Sequence, residues 1–105
     1  MLNAATAVSG SGPAYVFYFM QAMIESAIKL GFSASEAEFL VSQTFSGSVQ
    51  LQNRSKLSNE AWIQRVASKG GTTEAALSVF NQNELQEIVI DGIDAANTRA
   101  IELGA

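Results

Sequence analysis

The residues best suited to bind a ligand form one run, Ser68 to Thr73, with the sequence Ser-Lys-Gly-Gly-Thr-Thr. Two adjacent glycines let consecutive main-chain N–H groups face one ligand without an intervening Cβ. The following residues, Thr72 to Leu77, are typical of a helix start. Hydroxyls and free N–H groups at the positive end of a helix can bind a carboxylate or a phosphate. The same pattern is also typical of a plain loop that ends in a threonine N-cap.

The composition restricts the chemistry that such a site could support. The 105-residue chain has no cysteine and no histidine, which excludes thiol chemistry, histidine nucleophiles and ordinary zinc sites, so no metal is expected. Its net charge is -4, and only six residues are lysine or arginine. Because nucleic-acid binding needs clustered cations, no nucleic-acid partner is expected. Catalysis would have to use hydroxyls, carboxylates, lysine or the main chain.

Other patterns with chemical meaning are weaker. The glycine-rich run Ser9 to Gly12 lacks the third glycine and the preceding strand of a dinucleotide site. Ser26 and Lys29 match a Ser-x-x-Lys spacing without its companion motifs. The remaining carboxylates are expected on solvated faces and the large aromatic residues in the core. These are Glu36, Glu38, Asp91 and Asp94, and Trp62, Phe17, Phe19 and Phe80.

The elements that position these residues are all predicted to be helices. A flexible loop at Ser9 to Gly12 leads to Pro13 in the first turn of a helix that ends near Leu30 and Gly31. Ser33 and Glu36 form a capping box that opens a second helix, to about Leu51, with Ala37, Leu40, Val41, Thr44 and Ser48 on one face. Gly47 in this helix offers a point of close contact for another backbone.

The second half of the chain continues the helical pattern. After a loop from Asn53 to Leu57, Ser58 or Asn59 caps a short helix through Val66, and Thr73 to Phe80 forms another. The last helix begins near Asn83 and stops at Gly104, with Leu85, Ile88, Val89, Ile93, Ala96 and Ala100 on its apolar line and Ile90 and Ile101 off that line. No segment alternates like a strand. We therefore predict an all-α fold of about five helices.

The amount of apolar side chain favours an oligomer. The chain is 48% hydrophobic and only 15% charged, and its first helix is apolar nearly all round, which predicts burial nearly all round. The apolar stretch Ala14 to Met20 is too short to span a bilayer. The start at Met1 lacks the basic and apolar regions of a signal peptide. We therefore expect a cytoplasmic protein.

Two motifs about fifty residues apart identify a family. Ala7 to Phe17 reads Ala-Val-Ser-Gly-Ser-Gly-Pro-Ala-Tyr-Val-Phe, and Val66 to Leu77 reads Val-Ala-Ser-Lys-Gly-Gly-Thr-Thr-Glu-Ala-Ala-Leu. Together with the final segment, Ala95 to Leu103, they closely resemble the C-terminal domain of pyrroline-5-carboxylate reductase over essentially the whole chain. This family reduces 1-pyrroline-5-carboxylate to proline with NADH or NADPH, the last step of proline biosynthesis.

The resemblance implies roles for the glycine run. Ser68, Gly70, Gly71 and Thr72 would bind the substrate carboxylate, and the hydroxyl of Thr73 would bond the ring nitrogen as the catalytic group. Lys69 stands where the family often has proline, which adds a cation near an anionic substrate and removes some rigidity. The entry loop Ser9 to Pro13 would lie near the cofactor in the complete enzyme.

The resemblance also implies the domain organisation. Residues 1–105 would be the C-terminal dimerisation and substrate-binding domain, similar to that of 6-phosphogluconate dehydrogenase, with helices of two chains interlocked. The N-terminal Rossmann domain, which binds NAD(P)H, would be absent, so this chain alone would bind no cofactor and be inactive. A homodimer, and larger assemblies of it in the full-length enzyme, are expected.

Two other interpretations remain at this point. The chain could be a free-standing helical dimerisation module without catalysis, although such a module has no need to retain the run from Ser68 to Thr73. It could also belong to another two-domain dehydrogenase that places a catalytic lysine near an asparagine. For Lys29 the sequence indicates no such partner.

Overall fold

The computed structural model describes residues 1–68 and 71–104, and within them every element is helical. Five helices have nine residues or more, as the sequence predicts, and strands are absent from the described ranges. A short helix and a π-helix precede them. In chain order the elements are α1 (Leu2–Ala5), the π-helix (Thr6–Gly10), α2 (Gly12–Lys29), α3 (Ala34–Arg54), α4 (Asn59–Ala67), α5 (Gly71–Gln82) and α6 (Leu85–Gly104).

The chain divides into two compact units. Unit 1 combines Met1–Tyr15 with Val66–Ala105, and unit 2 is Val16–Arg65. In unit 1, α6 packs against α1, the π-helix and α5. Its inward line consists of Leu85, Val89, Ile93, Ala96, Asn97 and Ala100, all half-buried. Ile88, predicted on this line, is instead 58% exposed.

The connection from α2 to α3 follows the local sequence signals. Gly31 takes a positive φ of 117°, and the N–H of Phe32 donates to the carbonyl of Ala27 at 3.1 Å, which closes the end of α2 in a Schellman motif. Ser33 then caps α3: its hydroxyl accepts from the N–H of Glu36 at 3.2 Å, while the Glu36 carboxylate accepts from the N–H of Ser33 at 2.9 Å. The predicted capping box is confirmed.

The end of α3 differs from the prediction, whereas the cap of α4 agrees with it. Helix α3 continues to Arg54, three residues beyond the predicted end, so the loop before α4 is only four residues long. Ser58 caps α4, because its hydroxyl accepts from the N–H of Ala61 at 3.1 Å. The amide of Gln52 donates to the Asn59 side chain at 2.5 Å, which links the end of α3 to the start of α4. Side-chain contacts of this kind extend a helix beyond its local sequence signals.

The turn between α5 and α6 is tight. Asn83 donates its side-chain amide to the carbonyl of Val79 at 2.9 Å and so closes the end of α5. Glu84 takes a left-handed φ of 55°, a conformation that costs a non-glycine residue about 1 kcal/mol or more. Helix α6 therefore begins at Leu85, two residues later than predicted.

The prediction that the large aromatic residues lie in the core is wrong for the single chain. The first helix, expected to be covered in an oligomer, is not covered by this chain alone. The described residues that are at most 9% exposed are Ala7, Ala37, Val41 and Ala67, and none of them belongs to α2. Phe17 is 66% exposed and Phe80 46%. A large apolar area is therefore left uncovered by the chain itself.

None of the helices in the described ranges combines the length and the apolar character needed to cross a membrane.

Candidate functional site

The candidate site lies at the N-terminus of α5, in unit 1. Helix α5 begins at Gly71, so Thr72 and Thr73 are its second and third residues. The alternative in which a threonine is the N-cap is therefore wrong, and the helix is longer at both ends than the predicted Thr73 to Phe80. Because the first N–H groups of a helix have no carbonyl one turn before them, the helix supplies no acceptor to Gly71, Thr72 and Thr73.

The two threonines add hydroxyl groups to this cluster of donors. Thr72 is exposed and Thr73 is half-buried. Neither hydroxyl makes a hydrogen bond within residues 1–68 and 71–104. No described atom lies within 4 Å of the position that a Cβ on Gly71 would occupy, so the main chain here is open to close approach. This helix end can donate to a small anion through both main chain and side chains.

The remaining predicted site residues have different positions. Ser68 follows the last residue of α4, the buried Ala67, and its side chain is exposed. The structure thus brings Ser68 and Gly71 to the two ends of one short connection between α4 and α5. Lys69 and Gly70 lie outside the described residues, so their predicted roles stay predictions.

The net charge of the unit that contains this site is negative and does not favour an anion. Unit 1 contains six acidic and two basic residues, which accounts for the whole net charge of -4. The guanidinium of Arg99 lies 3.2 Å from the carboxylate of Glu102 and is thereby engaged. Glu74, the fourth residue of α5, is exposed near the same helix end. Among the described residues of this helix end, the groups that can bind an anion are therefore oriented N–H and hydroxyl donors.

The other glycine-rich run has a different structure from the predicted flexible loop. Thr6–Gly10 forms a π-helix, and the N–H of Ser11 donates to the carbonyl of Thr6 at 2.8 Å. The Ser9 hydroxyl donates to the carbonyl of Ala5 at 2.9 Å. At the start of α2, Pro13 has no N–H, and that of Ala14 donates to Ser11 at 3.0 Å. Most donors of this run are thus already used within the chain.

Tyr15 is a structural residue that the sequence interpretation missed. Its hydroxyl donates to the carbonyl of Ala7 at 2.8 Å, in a partly buried setting. Ala7 is 1% exposed, so this carbonyl has little access to water. The widened turn of a π-helix leaves carbonyls to be satisfied from elsewhere. A tyrosine one turn into the next helix is the only sequence signal for this bond.

Trp62 in α4 also differs from a plain core residue. The side chain is half-buried, and the guanidinium carbon of Arg65 lies 5.4 Å from its ring centroid, within cation–π range. The indole N–H is buried and finds no acceptor in the described part of the chain. Across the same residues, no group of three or more acidic side chains could hold a metal ion.

Comparison with known proteins identifies the family. The sequence profile described as "Pyrroline-5-carboxylate reductase dimerisation" matches residues 1–103. Pyrroline-5-carboxylate reductase of Pseudomonas aeruginosa is 43% identical over 102 residues, which are 97% of this chain and 37% of that protein. Pyrroline-5-carboxylate reductase 2 of Bacillus subtilis is 35% identical, with the same coverage of both chains.

Two solved structures are similar in fold. The Plasmodium falciparum pyrroline carboxylate reductase, crystallised with NADP bound, has a TM-score of 0.94 and 32% identity, and the match covers 99% of this chain and 40% of that one. The pyrroline-5-carboxylate reductase of Coxiella burnetii has a TM-score of 0.91 and 40% identity over 96% of this chain and 37% of its own. The chain spans about two-fifths of the length of the relatives it matches. With a profile match over nearly its whole length, the chain belongs to the pyrroline-5-carboxylate reductase dimerisation family.

Proposed function

We propose that this chain is the dimerisation and substrate-binding domain of a pyrroline-5-carboxylate reductase, which reduces 1-pyrroline-5-carboxylate to proline with NAD(P)H. The observation that carries the proposal is the open N-terminus of α5 at Gly71, Thr72 and Thr73, in a chain whose residues 1–103 match this family. The substrate carries a carboxylate and a ring nitrogen. A cluster of donors with a half-buried hydroxyl suits both groups.

The residues of this chain bind and orient the substrate. The N–H groups of Gly71 and Thr72 donate to its carboxylate, with Ser68 and Gly70 as further donors, and the Thr73 hydroxyl bonds the ring nitrogen. Fixing the planar ring at two points selects the face that reacts, and orientation of this kind can lower a barrier by several kcal/mol. The nicotinamide cofactor, when bound by the rest of the enzyme, supplies the hydride.

Dimerisation is the second part of the proposal. The exposed side chains of α2 include Val16, Phe19 and Met23 at helical spacing, with exposures of 44%, 38% and 41%. A homodimer, with larger assemblies in the full-length enzyme, accounts for this surface. Without the remaining three-fifths of the enzyme, this chain is expected to be inactive, and its cytoplasmic location stays a prediction.

The test is a titration of this chain with proline, followed by amide NMR shifts, with the mass determined on the same sample. Saturable shifts at Gly71, Thr72 and Thr73 in a dimer are expected. Two control ligands separate the two contacts: pyrrolidine lacks the carboxylate, and cyclopentanecarboxylate lacks the nitrogen. Cyclopentanecarboxylate should still shift Gly71 and Thr72, while pyrrolidine should shift neither.

The opposite results would contradict the proposal at different points. A dimer without any shift would favour a helical interaction module without a preformed substrate site. A monomer at micromolar concentration would overturn the dimer. Oxidation of NADPH by the pure 105-residue chain would overturn the expectation that it is inactive on its own.

A further inference from the structure

Asn97 is the polar member of the inward line of α6, a half-buried line that it shares with apolar residues such as Ile93 and Ala100. Its side chain makes no hydrogen bond within residues 1–68 and 71–104. An amide that is removed from water without gaining a partner destabilises a fold, and alanine or leucine at this position would avoid that loss. The packing of unit 1 therefore does not account for an asparagine here.

The amide group of Asn97 is open to a small ligand. Among the described residues, the side-chain polar atom that is both fully covered and without a partner is the indole nitrogen of Trp62. Neither amide atom of Asn97 is covered in this way, so a molecule that enters from solvent can reach them. An amide carries two N–H donors and one carbonyl acceptor, and all of them are still available here.

The N-terminus of α5 lies level with Asn97 along the axis of α6. Helices α5 and α6 pack against each other and are joined by only two residues, as in an antiparallel helical hairpin, where residues equally far from the turn lie level. Gly71 is thus level with Ala96, and Thr73 with Asp94. Because helical side chains lean toward the N-terminus of their own helix, those of Thr73 and Asn97 lean toward each other's level.

Thr73 and Asn97 also belong to the covered sides of these two helices. In α5 the half-buried residues are Thr73 and Leu77, four positions apart, and in α6 Ile93 and Asn97 have the same spacing. Neither the Thr73 hydroxyl nor the Asn97 amide has a hydrogen-bond partner within the described ranges. Two unpaired polar groups at one level of a hairpin fit a ligand that supplies a partner to both.

We infer that Asn97 is a further ligand-binding residue of the proposed substrate site, and that its carbonyl oxygen accepts a hydrogen bond from the ring nitrogen. The ammonium nitrogen of proline carries two N–H groups. The Thr73 hydroxyl accepts one of them and the Asn97 carbonyl the other. The planar imine nitrogen carries at most one, so the second bond distinguishes the reduced ring from the unreduced one. This inference rests on the proposed function and adds a residue of α6 to its site.

The test compares proline with cyclopentanecarboxylate, which has the carboxylate but no ring nitrogen. Asn97→Leu roughly keeps the size of the side chain and removes both of its polar groups. It should weaken the binding of proline to this chain about tenfold. The affinity for cyclopentanecarboxylate should stay within about twofold of that of the unaltered chain. The main-chain amide shifts of Gly71, Thr72 and Thr73 measure both affinities.

Asn81→Leu is the matched control. Asn81 is an exposed residue in the last turn of α5, and its side chain makes no hydrogen bond within the described ranges, so this variant should change neither affinity. The side-chain amide signals of Asn97 provide a second measurement in the unaltered chain, where they are assigned by their loss in Asn97→Leu. Proline should shift them with the same midpoint as the main-chain signal of Thr73, and the side-chain signals of Asn81 should not shift.

The outcomes separate this inference from the proposed function. Equal losses of affinity for the two ligands in Asn97→Leu would show a general disturbance of the helix end and would overturn the inference. Unchanged proline binding in this variant, or side-chain signals of Asn97 that do not respond to proline, would overturn it as well. Each of these results leaves the proposed function intact, because the unaltered chain still binds proline. If the unaltered chain binds neither ligand, both fail.

Discussion

Helices α3 and α5 begin with similar residues, but the donors at their N-termini are used differently. In α3 the third residue is Glu36, which accepts from the N–H of Ser33, while the Ser33 hydroxyl accepts from the N–H of Glu36. In α5 the third residue is Thr73, and the nearest carboxylate, that of Glu74, comes one position later. Thus α3 is closed by a capping box, and within residues 71–104 the start of α5 has no such box.

The difference separates a helix end that contributes to stability from one that, in the proposed function, binds a ligand. A capping box satisfies the main-chain donors inside the chain, which adds to the free energy of unfolding. An end without such a box keeps its donors for a ligand and gains less stability from them. Both ends have the same positive potential, so the presence of a helix N-terminus alone does not identify a site.

The largest expected effect is a loss of proline affinity when the hydroxyl of Thr73, near the N-terminus of α5, is removed. Thr73→Val keeps the shape of the side chain and deletes its hydrogen bond to the ring nitrogen of the ligand. A hydrogen bond to a charged group contributes about 1.5–3 kcal/mol, so proline binding should weaken about tenfold to a hundredfold. The measurement is the NMR titration of this chain with proline.

Ser33→Ala is the matched control for Thr73→Val, since it alters the closed end instead. Its proline affinity should equal that of the unaltered chain. If Thr73→Val bound proline normally, or if Ser33→Ala weakened binding equally, the distinction between an open and a closed helix end would fail.

The N-terminus of α2 differs from those of α3 and α5. Here the hydroxyl of Tyr15 donates to the carbonyl of Ala7, and the N–H of Ala14 donates to the carbonyl of Ser11. Tyr15→Phe leaves the carbonyl of Ala7 without its donor in a partly buried position, which should lower the free energy of unfolding by about 1–2 kcal/mol. Tyr18→Phe is the control, because Tyr18 is 79% exposed; it should change stability little. Chemical denaturation measures both, and equal effects would show that the bond to Ala7 contributes nothing.

Disrupting the capping box at the N-terminus of α3 should lower the free energy of unfolding by a smaller amount. Ser33→Ala removes the hydroxyl that accepts from Glu36, and loss of an N-cap typically costs about 1 kcal/mol. Ser35→Ala is the control, because within the described residues the Ser35 hydroxyl contacts only a side chain and not the main chain. Its free energy of unfolding should stay within about 0.5 kcal/mol of that of the unaltered chain. Thermal unfolding separates the two variants, and a neutral Ser33→Ala would mean that the box does not stabilise α3.

The features that could be predicted from the sequence are those set by neighbouring residues. The capping box of Ser33 and Glu36 and the end of the first helix near Gly31 depend on contacts within a few positions, and both are confirmed. The π-helix was missed because its carbonyl at Ala7 is satisfied from Tyr15, eight residues away. The exposure of Phe17 and Phe80 was also missed, since an apolar side chain predicts burial without telling which chain provides the cover. The exposure of α2 in the single chain agrees with the oligomer that its apolar pattern favours. The roles of Ser68, Gly70, Gly71, Thr72 and Thr73 came from the family resemblance and stay predictions.

The smallest expected effect is a pH dependence of the stability that the capping box of α3 contributes. The hydrogen bond from the main-chain N–H of Ser33, followed by that with its hydroxyl, holds the pKa of Glu36 below its usual 4.5. Since a lowered pKa favours the ionised form in the folded state, Glu36 adds stability above pH 4.5 and loses it as the pH falls through the lowered pKa. Glu36→Gln keeps an acceptor but cannot ionise. The difference in Tm between the unaltered chain and this variant should therefore shrink between about pH 6 and about pH 3, while all other carboxylates titrate alike in both. A constant difference over this range would show that the charge of Glu36 does not strengthen the box, and that the contrast with α5 rests on hydrogen-bond geometry alone.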